Sequence, residues 1–207
     1  MTGKQLLPLS GVAAVLLILV SFIIAGEPPD LDAPVGEVVS YYTDNDSDLQ
    51  IAAALLSLGA FFFLLFSTAV ASLLRREPPA GATSANFSLA GGIVFAVGAT
   101  TFAGLAFTAG DAVDDVGAGT LQTLHALEMD MFFTVAVGTA AFLLGTGVGA
   151  RNTGLLPNWL CWVAIVLGVI AITPAGFAAF IGLGIWTLVV SVMLTMRAGA
   201  TSAPAVD

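Results

Sequence analysis

Basic side chains are scarce in this chain, and their scarcity removes several classes of function. Lysine and arginine together number five among 207 residues, against fourteen aspartates and glutamates. A nucleic-acid-binding surface needs basic groups to neutralise phosphates, so nucleic acid is excluded as a partner. The single cysteine, Cys161, excludes an internal disulfide and a cysteine-cluster metal site. The single histidine, His125, excludes a bis-histidine haem.

Catalytic signatures are also missing from the sequence. It contains no G-x-S-x-G nucleophile elbow, no P-loop, no G-x-G-x-x-G turn and no H-E-x-x-H zinc motif. Serine and histidine are never spaced for acyl transfer along one helix. We therefore expect a protein without enzymatic activity and without a cofactor.

Long apolar runs dominate what is present. Hydrophobic residues make up 58% of the chain and charged residues 9%, whereas soluble domains carry about 25% charged residues. A spanning helix needs about 20 apolar residues, because the hydrocarbon core is about 30 Å thick. Six runs approach or exceed that length, and the sequence predicts one all-α membrane domain over residues 1–207, with six transmembrane helices in three hairpins. The runs cover about 8–25, 49–74, 87–109, 122–149, 158–173 and 175–196.

The first apolar run has an alternative interpretation as a signal peptide, and the last two runs have one as a single long helix. The run from Gly11 to Ala25 follows Lys4 as in a signal peptide, but no small-x-small cleavage site follows it, so we expect an uncleaved first span. One helix from Trp159 to Arg197 would be almost 60 Å long, about twice the hydrocarbon thickness. The stretch "ITPAG" from Ile172 supplies the break, because proline and glycine interrupt helices.

Charges are sorted by side when six spans are assumed. All five basic residues fall on one side, which the positive-inside rule makes cytoplasmic, so both termini are predicted to be cytoplasmic. Acidic residues are concentrated in the first and second outer loops. The basic residues are Lys4, Arg75, Arg76, Arg151 and Arg197. The acidic residues of the two outer loops are Glu27, Asp30, Asp32, Glu37, Asp44, Asp46, Asp48, Asp111, Asp114 and Asp115.

The first outer loop contains a helical pattern of its own. Val35, Val38, Val39 and Tyr42 follow the i, i+3, i+4, i+7 spacing of one helical face. This predicts a short amphipathic helix that lies on the outer surface or caps the bundle. Ser47 and Gln50 have the spacing of a capping box and predict the start of the next span.

The stretch "TLQTLHALEMDMFFTV" from Thr120 places His125, Glu128 and Asp130 at the start of the fourth run. Asp130 is 21 residues before Arg151, roughly 31 Å along a straight helix. That distance puts Asp130 near the outer boundary of the hydrocarbon and the other two beyond it. Because a charge deeper in the membrane is costly, the sequence predicts that His125 and Glu128 are the hydrated end of the helix.

Helical phase separates these three side chains. Asp130 and Thr134 share one sector of the helix with Gly138, Ala141 and Gly145. Ala141 and Gly145 also begin a small-residue ladder that continues to Gly149, the kind of pattern that lets helices approach closely. Asp130 is thus predicted to face the packed side and is the preferred candidate for a binding residue at a cavity mouth. A carboxylate that is only hydrogen-bonded to neighbouring hydroxyls is the alternative. Thr134, Glu128 and His125 complete the candidate set.

Metal binding is disfavoured at both places where acidic residues cluster. His125 and Glu128 supply two ligands, whereas zinc needs three or four protein ligands. "DNDSDLQ" from Asp44 begins like a calcium loop, but Leu49 stands where glycine is required and Leu55 where the bidentate glutamate belongs. No metal is therefore expected.

The chain resembles a broad family of small bacterial six-span membrane proteins whose function is unassigned. The segments that carry the resemblance are "LSG" at the first span, "AGEPPD" and "EVVSYYTDN" in the outer loop, "EMDMFFTVAVG" in the fourth span and "LPNWLCWVAIVLGV" in the fifth. They lie between about residues 6 and 196. The resemblance implies a multi-pass protein of the bacterial plasma membrane with acidic outer loops, and it transfers no catalytic residue.

Two functions from different classes remain open at this point. The first is a protein that binds lipid, a membrane-protein partner or a second copy of itself, without catalysis. The second is a small transporter or channel for a cation or an amphipathic solute. The second predicts a water-filled cavity between the third and fourth spans, with Asp130 at its entrance and Thr100, Thr101 and Thr134 along its wall.

Overall fold

The computed structural model describes residues 7–76 and 81–200, with side chains described as far as Arg197. A 3-10 turn, Leu7–Leu9, leads into the first of eight α-helices in this described part of the chain, which forms no β-strand. The all-α prediction is therefore confirmed for these residues. The helices are α1 Ser10–Ala25, α2 Val35–Asp44, α3 Asp46–Leu74, α4 Ala82–Asp111, α5 Ala118–Asp130, α6 Phe132–Thr153, α7 Asn158–Ala171 and α8 Gly176–Ala200.

Five helical segments are long and apolar enough to cross a membrane, which indicates a membrane protein. They are Leu7–Ala25, Asp46–Leu74, Ala82–Asp111, Ala118–Thr153 and Gly176–Arg197. The fourth joins α5 to α6 across Met131, whose N–H still bonds the Leu127 carbonyl oxygen at 3.1 Å. The fifth predicted span, over 158–173, forms α7, which has 14 residues and is about 21 Å long. It is apolar but shorter than the hydrocarbon core.

Neighbouring helices pack in a ring that places charges at its two ends. Helix α3 lies between α1 and α4, α6 packs on α4, α7 packs on α6, and α8 contacts both α7 and α1. Arg75 Nη2 donates to Asn86 Oδ1 at 2.8 Å, and Arg197 Nη1 donates to the Leu155 carbonyl at 2.6 Å. The first contact joins the end of α3 to the start of α4, and the second joins the end of α8 to the loop between α6 and α7. We call this end of the bundle the basic end, and the opposite end, with Asp46 and Asp111, the acidic end.

Aromatic side chains fill the centre of the bundle. The Phe63 ring lies 4.3 Å from Phe95 and 5.0 Å from Phe142, centroid to centroid. Trp186 of α8 is also buried, and its indole N–H donates to the Leu160 carbonyl at 3.0 Å. That bond links α8 to α7, because an indole N–H placed in an apolar interior needs an acceptor.

Glycines bring α4 and α6 into backbone contact. A Cβ built on Gly91 would lie 2.1 Å from the Phe142 nitrogen, and one on Gly138 would lie 2.3 Å from the Phe95 nitrogen. Gly145 makes the same kind of contact with Ser88, as the small-residue ladder predicted. The interface is closed along these contacts. The predicted water-filled cavity is therefore absent along these contacts, and the cavity that both helices border elsewhere has mostly apolar walls.

Of the three threonines predicted to line that cavity, only Thr134 lies between the two helices. Thr100 and Thr101 are exposed, and their hydroxyls donate to carbonyls of their own helix, at Ala96 and Val97, both at 2.8 Å. Thr134 is half-buried, and its side chain lies beside Gly98, where α4 and α6 are in contact. A threonine hydroxyl satisfied by its own helix can face lipid, which removes the need for a polar cavity.

The amphipathic helix predicted in the first outer loop is confirmed as α2. It begins after Pro34, which stands at the N-cap position, and Val38 and Tyr42 are buried on one face. The predicted capping box at Ser47 is wrong. The following helix already begins at Asp46, whose carboxylate accepts the Ser47 N–H, so Ser47 lies inside the first turn.

Candidate functional site

Tyr42 of α2 is held at the acidic end by an apolar floor. Val38 and Tyr42 are one helical turn apart and pack with Leu49, Ala109 and Leu121 in a small cluster separate from the main core. Burial of these side chains favours the docked position of α2, since each large apolar side chain stabilises by about 1.5–3 kcal/mol when buried. The phenol of Tyr42 is consequently carried inward, onto α5.

Two polar side chains of α5 meet that phenol. Tyr42 Oη donates to Glu128 Oε2 at 2.7 Å and lies 3.0 Å from His125 Nδ1. His125 and Glu128 are three residues apart and so lie on the same side of a helix. The other imidazole nitrogen, Nε2, lies 3.0 Å from the carbonyl oxygen of Pro29 in the first outer loop. Tyr42, Glu128, His125 and the Pro29 carbonyl therefore form one hydrogen-bonded cluster, here called the tyrosine cluster.

The tyrosine cluster is dry, which corrects the sequence analysis. His125 is 1% exposed and Glu128 5% exposed, so the prediction that they form a hydrated helix end is wrong. Helix α2 folds over the acidic end and excludes water from α5, and distance along α5 alone does not reveal this cover.

Burial also keeps both phenols protonated. Burial, with a smaller contribution from the charge of Glu128, raises the pKa of Tyr41 to about 12. Burial and the nearby Glu128 also raise the pKa of Tyr42. Tyr41 Oη donates to the Ala25 carbonyl at 3.0 Å, which fixes the end of α1 against α2. Each tyrosine therefore acts as a hydrogen-bond donor at neutral pH.

Asp130, the preferred candidate from the sequence, does not belong to the cluster. Its side chain is exposed, so the prediction that it faces the packed side is wrong. The phase count assumed an uninterrupted helix. In the structure the Met131 N–H is shared between the Leu127 and Glu128 carbonyls, and the Thr134 N–H bonds Met131 at 3.0 Å. Such i to i−3 bonds tighten the turn, and they rotate the residues before it, including Asp130, relative to α6.

The residues that the structure describes contain no group of three or more histidine, cysteine, aspartate or glutamate side chains that could hold a metal ion. In the tyrosine cluster the neighbours of His125 are a phenol and a backbone carbonyl. The chemistry available there is hydrogen bonding and proton exchange.

Two adjoining apolar cavities lie beside the cluster. The first has a volume of about 570 Å³ and is bounded at the acidic end by Gly26, Glu27 and Pro28. The second, of about 360 Å³, lies between α1 and α8. Both are bordered by Phe22, Phe95, Phe177 and Phe180. Sequence reasoning missed these cavities, because their walls come from six separate helices.

Thr187 adds an unusual polar group to the second cavity. It borders that cavity, is fully buried, and its hydroxyl has no hydrogen-bond partner among the described residues. Buried hydroxyls are nearly always paired. Exposed threonines such as Thr100 and Thr101 bond carbonyls of their own helix, whereas the Thr187 hydroxyl, like that of Thr139, has no described partner. The Thr187 hydroxyl is therefore able to bond a ligand.

Comparison with known proteins adds no family or activity. No protein-family description matches the chain, and no curated protein or solved structure is significantly similar to it. Functional assignment therefore depends on the cavities and the tyrosine cluster.

Proposed function

We propose that this chain is a non-enzymatic membrane protein that binds the hydrocarbon chain of a lipid in the two adjoining cavities. The observation that carries the proposal is the pair of cavities itself, which share a wall of four phenylalanines. Their volumes fall in the range typical of small-molecule sites, which are mostly apolar with few polar groups. A hydrocarbon chain suits such walls because it needs no hydrogen bonds.

The second cavity opens on the face where lipid would lie. Leu19 of α1 and Ile181 and Ile185 of α8 border it and are more than half exposed. Both helices belong to the segments that are long and apolar enough to cross a membrane. A lipid chain could thus enter sideways between α1 and α8 without leaving an apolar environment.

The acidic end favours particular headgroups. Glu27 borders the first cavity, and Asp30 and Asp32 follow it in the same loop with exposed side chains. Carboxylates repel phosphate-bearing lipids that have a net negative charge and attract an ammonium group. We therefore assign the site to a lipid with an amine-bearing or uncharged headgroup, such as phosphatidylethanolamine.

A photo-crosslinking experiment tests this function. The protein in nanodiscs is irradiated with phosphatidylethanolamine that carries a diazirine in its acyl chain, and the modified peptides are identified by mass spectrometry. Crosslinks are expected on peptides containing Phe22, Phe177 and Phe180. A phosphatidylglycerol probe with the same chain should label these peptides less.

Gly184 allows a matched blocking variant. A Cβ at Gly184 meets nothing closer than 3.7 Å, so the side chain of Gly184→Leu can extend into the second cavity, which this residue borders. Gly104→Leu places the same side chain on an open surface of α4. Crosslinking should fall about tenfold in Gly184→Leu, equivalent to about 1.4 kcal/mol of binding, and stay unchanged in Gly104→Leu. Equal, scattered labelling in both variants would refute the proposal.

The same proposal includes a topology. We take α7 as a sixth, short span and place the basic end in the cytoplasm, in accordance with the positive-inside rule. Arg75, Arg151 and Arg197 lie at that end, and the Arg151 guanidinium stacks over the Trp162 ring at 4.7 Å. Gly11 near the start of α1 contacts Ser191 near the end of α8. These contacts support termini on one side.

A further inference from the structure

The tyrosine cluster has three contacts, and each needs one hydrogen. They are Glu128 to Tyr42, Tyr42 to His125 Nδ1, and His125 Nε2 to the Pro29 carbonyl. If Glu128 is ionised and the imidazole is neutral, the cluster owns only two hydrogens, the phenol O–H and one imidazole N–H. One contact then brings two acceptors together, and the cluster carries a net charge of −1 in a dry site.

One additional proton completes the cluster in either of two ways. Placed on Glu128, it makes a chain in which the acid donates to Tyr42, Tyr42 donates to Nδ1, and Nε2 donates to Pro29. Placed on His125, it makes an imidazolium that donates to both Tyr42 and Pro29, while Tyr42 donates to the carboxylate. Both arrangements have no net charge and three hydrogens for three contacts. Burial of an unpaired charge is costly, so the structure favours the cluster that holds this proton.

The surrounding charges leave Glu128 and His125 as the pair that shares it. Among the described residues Glu128 is the one buried carboxylate. The carboxylates on the neighbouring segments, Asp30 in the loop, Asp46 on α3 and Asp111 on α4, are exposed. Tyr41 is the other ionisable group facing Glu128 from α2, and burial raises its pKa to about 12. The arginines of the described chain are at the basic end.

The cluster is joined to the cavity by the first outer loop. His125 bonds the carbonyl of Pro29, and the preceding residues Gly26, Glu27 and Pro28 border the first cavity. Gly26 has φ +71°, a conformation that lets the loop turn sharply out of α1. On the other side, Met129 borders the same cavity and directly follows Glu128. A change in the cluster therefore acts directly on the residues at the cavity mouth.

We infer that Glu128, Tyr42 and His125 form a proton-binding site that fastens the loop Gly26–Pro34 over the cavity, and that loss of the proton at raised pH releases the loop. The loop's role as a cover for a lipid site rests on the proposed function. The proton-dependent fastening rests on the hydrogen count alone.

A spin label on the loop measures the fastening. Leu31 is 57% exposed, so Leu31→Cys in a Cys161→Ala background can carry a nitroxide without entering a contact surface. Electron paramagnetic resonance of the labelled protein in nanodiscs is recorded from about pH 5 to about pH 9, the range in which carboxyl and imidazole groups titrate. The wild-type cluster should lose its immobilised spectral component as pH rises.

Variants identify the group that releases the proton. Glu128→Gln supplies an amide N–H to Tyr42 at every pH and should stay immobilised throughout. Asp130→Asn removes an exposed carboxylate two residues away and should keep the wild-type transition. Tyr42→Phe breaks two of the three contacts and should leave the label mobile at both ends of the range.

Three results would overturn the inference. They are a wild-type label that does not respond to pH, a Glu128→Gln protein with the same alkaline transition as wild type, and a Tyr42→Phe protein with an unchanged transition. If Glu128→Gln fails to fold, the wild-type titration and the Tyr42→Phe spectra still test whether the loop is released as pH rises. Because the label is read without added lipid probe, loss of crosslinking in the cavity test and loss of the pH response here are independent failures.

Discussion

At the residue scale, one phenol joins three parts of the chain that are far apart in sequence. Tyr42 contacts Glu128 and His125, which are 86 and 83 residues away, and His125 reaches back to Pro29. Among the described residues, Tyr42 is the side-chain hydrogen-bond partner of both Glu128 and His125. The position of Tyr42 therefore decides whether the acidic groups of α5 are solvated or buried.

Tyr42→Phe should destabilise the protein more than Tyr41→Phe does. The first removes the donor of a buried carboxylate, and hydrogen bonds to charged groups contribute about 1.5–3 kcal/mol. The second removes one bond to the Ala25 carbonyl, a neutral bond that contributes about 0.5–1.5 kcal/mol. Denaturant unfolding in detergent at pH 7, followed by helix content, measures both. Equal losses in the two variants would contradict the arrangement.

The tyrosines should also resist ionisation. The chain has only Tyr41 and Tyr42, so phenolate absorbance reports on this site alone. In the folded protein Tyr41 should ionise at about pH 12 and Tyr42 still higher, whereas unfolded tyrosines ionise at about pH 10. A raised folded pKa means that this stabilisation is present below about pH 10 and is lost as pH rises through the folded values. A phenol titrating near pH 10 in the native protein would refute the burial.

Features that depend on one segment could be predicted from the sequence, whereas features that depend on the packing of two segments could not. The spacing of Val38 and Tyr42 alone predicts that both lie on one face of a surface helix. The spacing of α5 does not show that α2 covers Glu128 and His125, so it predicts wrongly that they are hydrated. The helical phase predicts the wrong direction for Asp130, because the tight turn at Met131 shifts that phase and no glycine or proline marks the turn.

At the element scale, the contact of α4 with α6 is made by backbone. Gly91 and Gly138 each leave room for less than one methyl group against the facing helix. The ladder of small residues on α6 was visible in the sequence, but its partner on α4 was not, because several faces of that helix contain glycine or alanine.

Gly91→Ala should separate α4 from α6, and Gly104→Ala should not. The added Cβ at Gly91 would lie 2.1 Å from the Phe142 backbone nitrogen, whereas at Gly104 it meets nothing within 4 Å. We expect Gly91→Ala to lower the unfolding free energy by about 1–3 kcal/mol, as overpacking does. Gly104→Ala should be neutral or stabilising by up to about 1 kcal/mol, since alanine favours helix. Thermal unfolding of both variants in the same detergent makes the comparison. A smaller loss for Gly91→Ala would mean that the helices are not in contact.

At the scale of the whole molecule, the charges divide along the helix axes. The acidic end carries Asp46 and Asp111, and the basic end carries Arg75, Arg151 and Arg197. This division is predicted by composition and by the number of spans, because successive spans cross in opposite directions. The lengths of the helices were harder to foresee, since α7 ends after 14 residues.

Cysteine labelling tests the proposed topology directly. Asp114→Cys exposes a thiol at the acidic end and Asn152→Cys exposes one at the basic end, where both native residues are exposed. In intact cells a membrane-impermeant maleimide should label Asp114→Cys, and Asn152→Cys should react only after permeabilisation. The buried Cys161 provides the unreactive background. The reverse pattern would place the acidic end in the cytoplasm, and labelling of both thiols from outside would contradict a span over Ala118–Thr153.

The glycine contacts between α4 and α6 also affect which helices of the bundle can move apart. Two backbones in direct contact have no rotatable side chains between them, so that side of the protein is stiff. On the other side α1 and α8 meet through Phe22 and Phe180, whose rings are 5.8 Å apart and can turn about their own bonds. Lateral tension in a bilayer would therefore separate α1 from α8 at these rings before it separated α4 from α6.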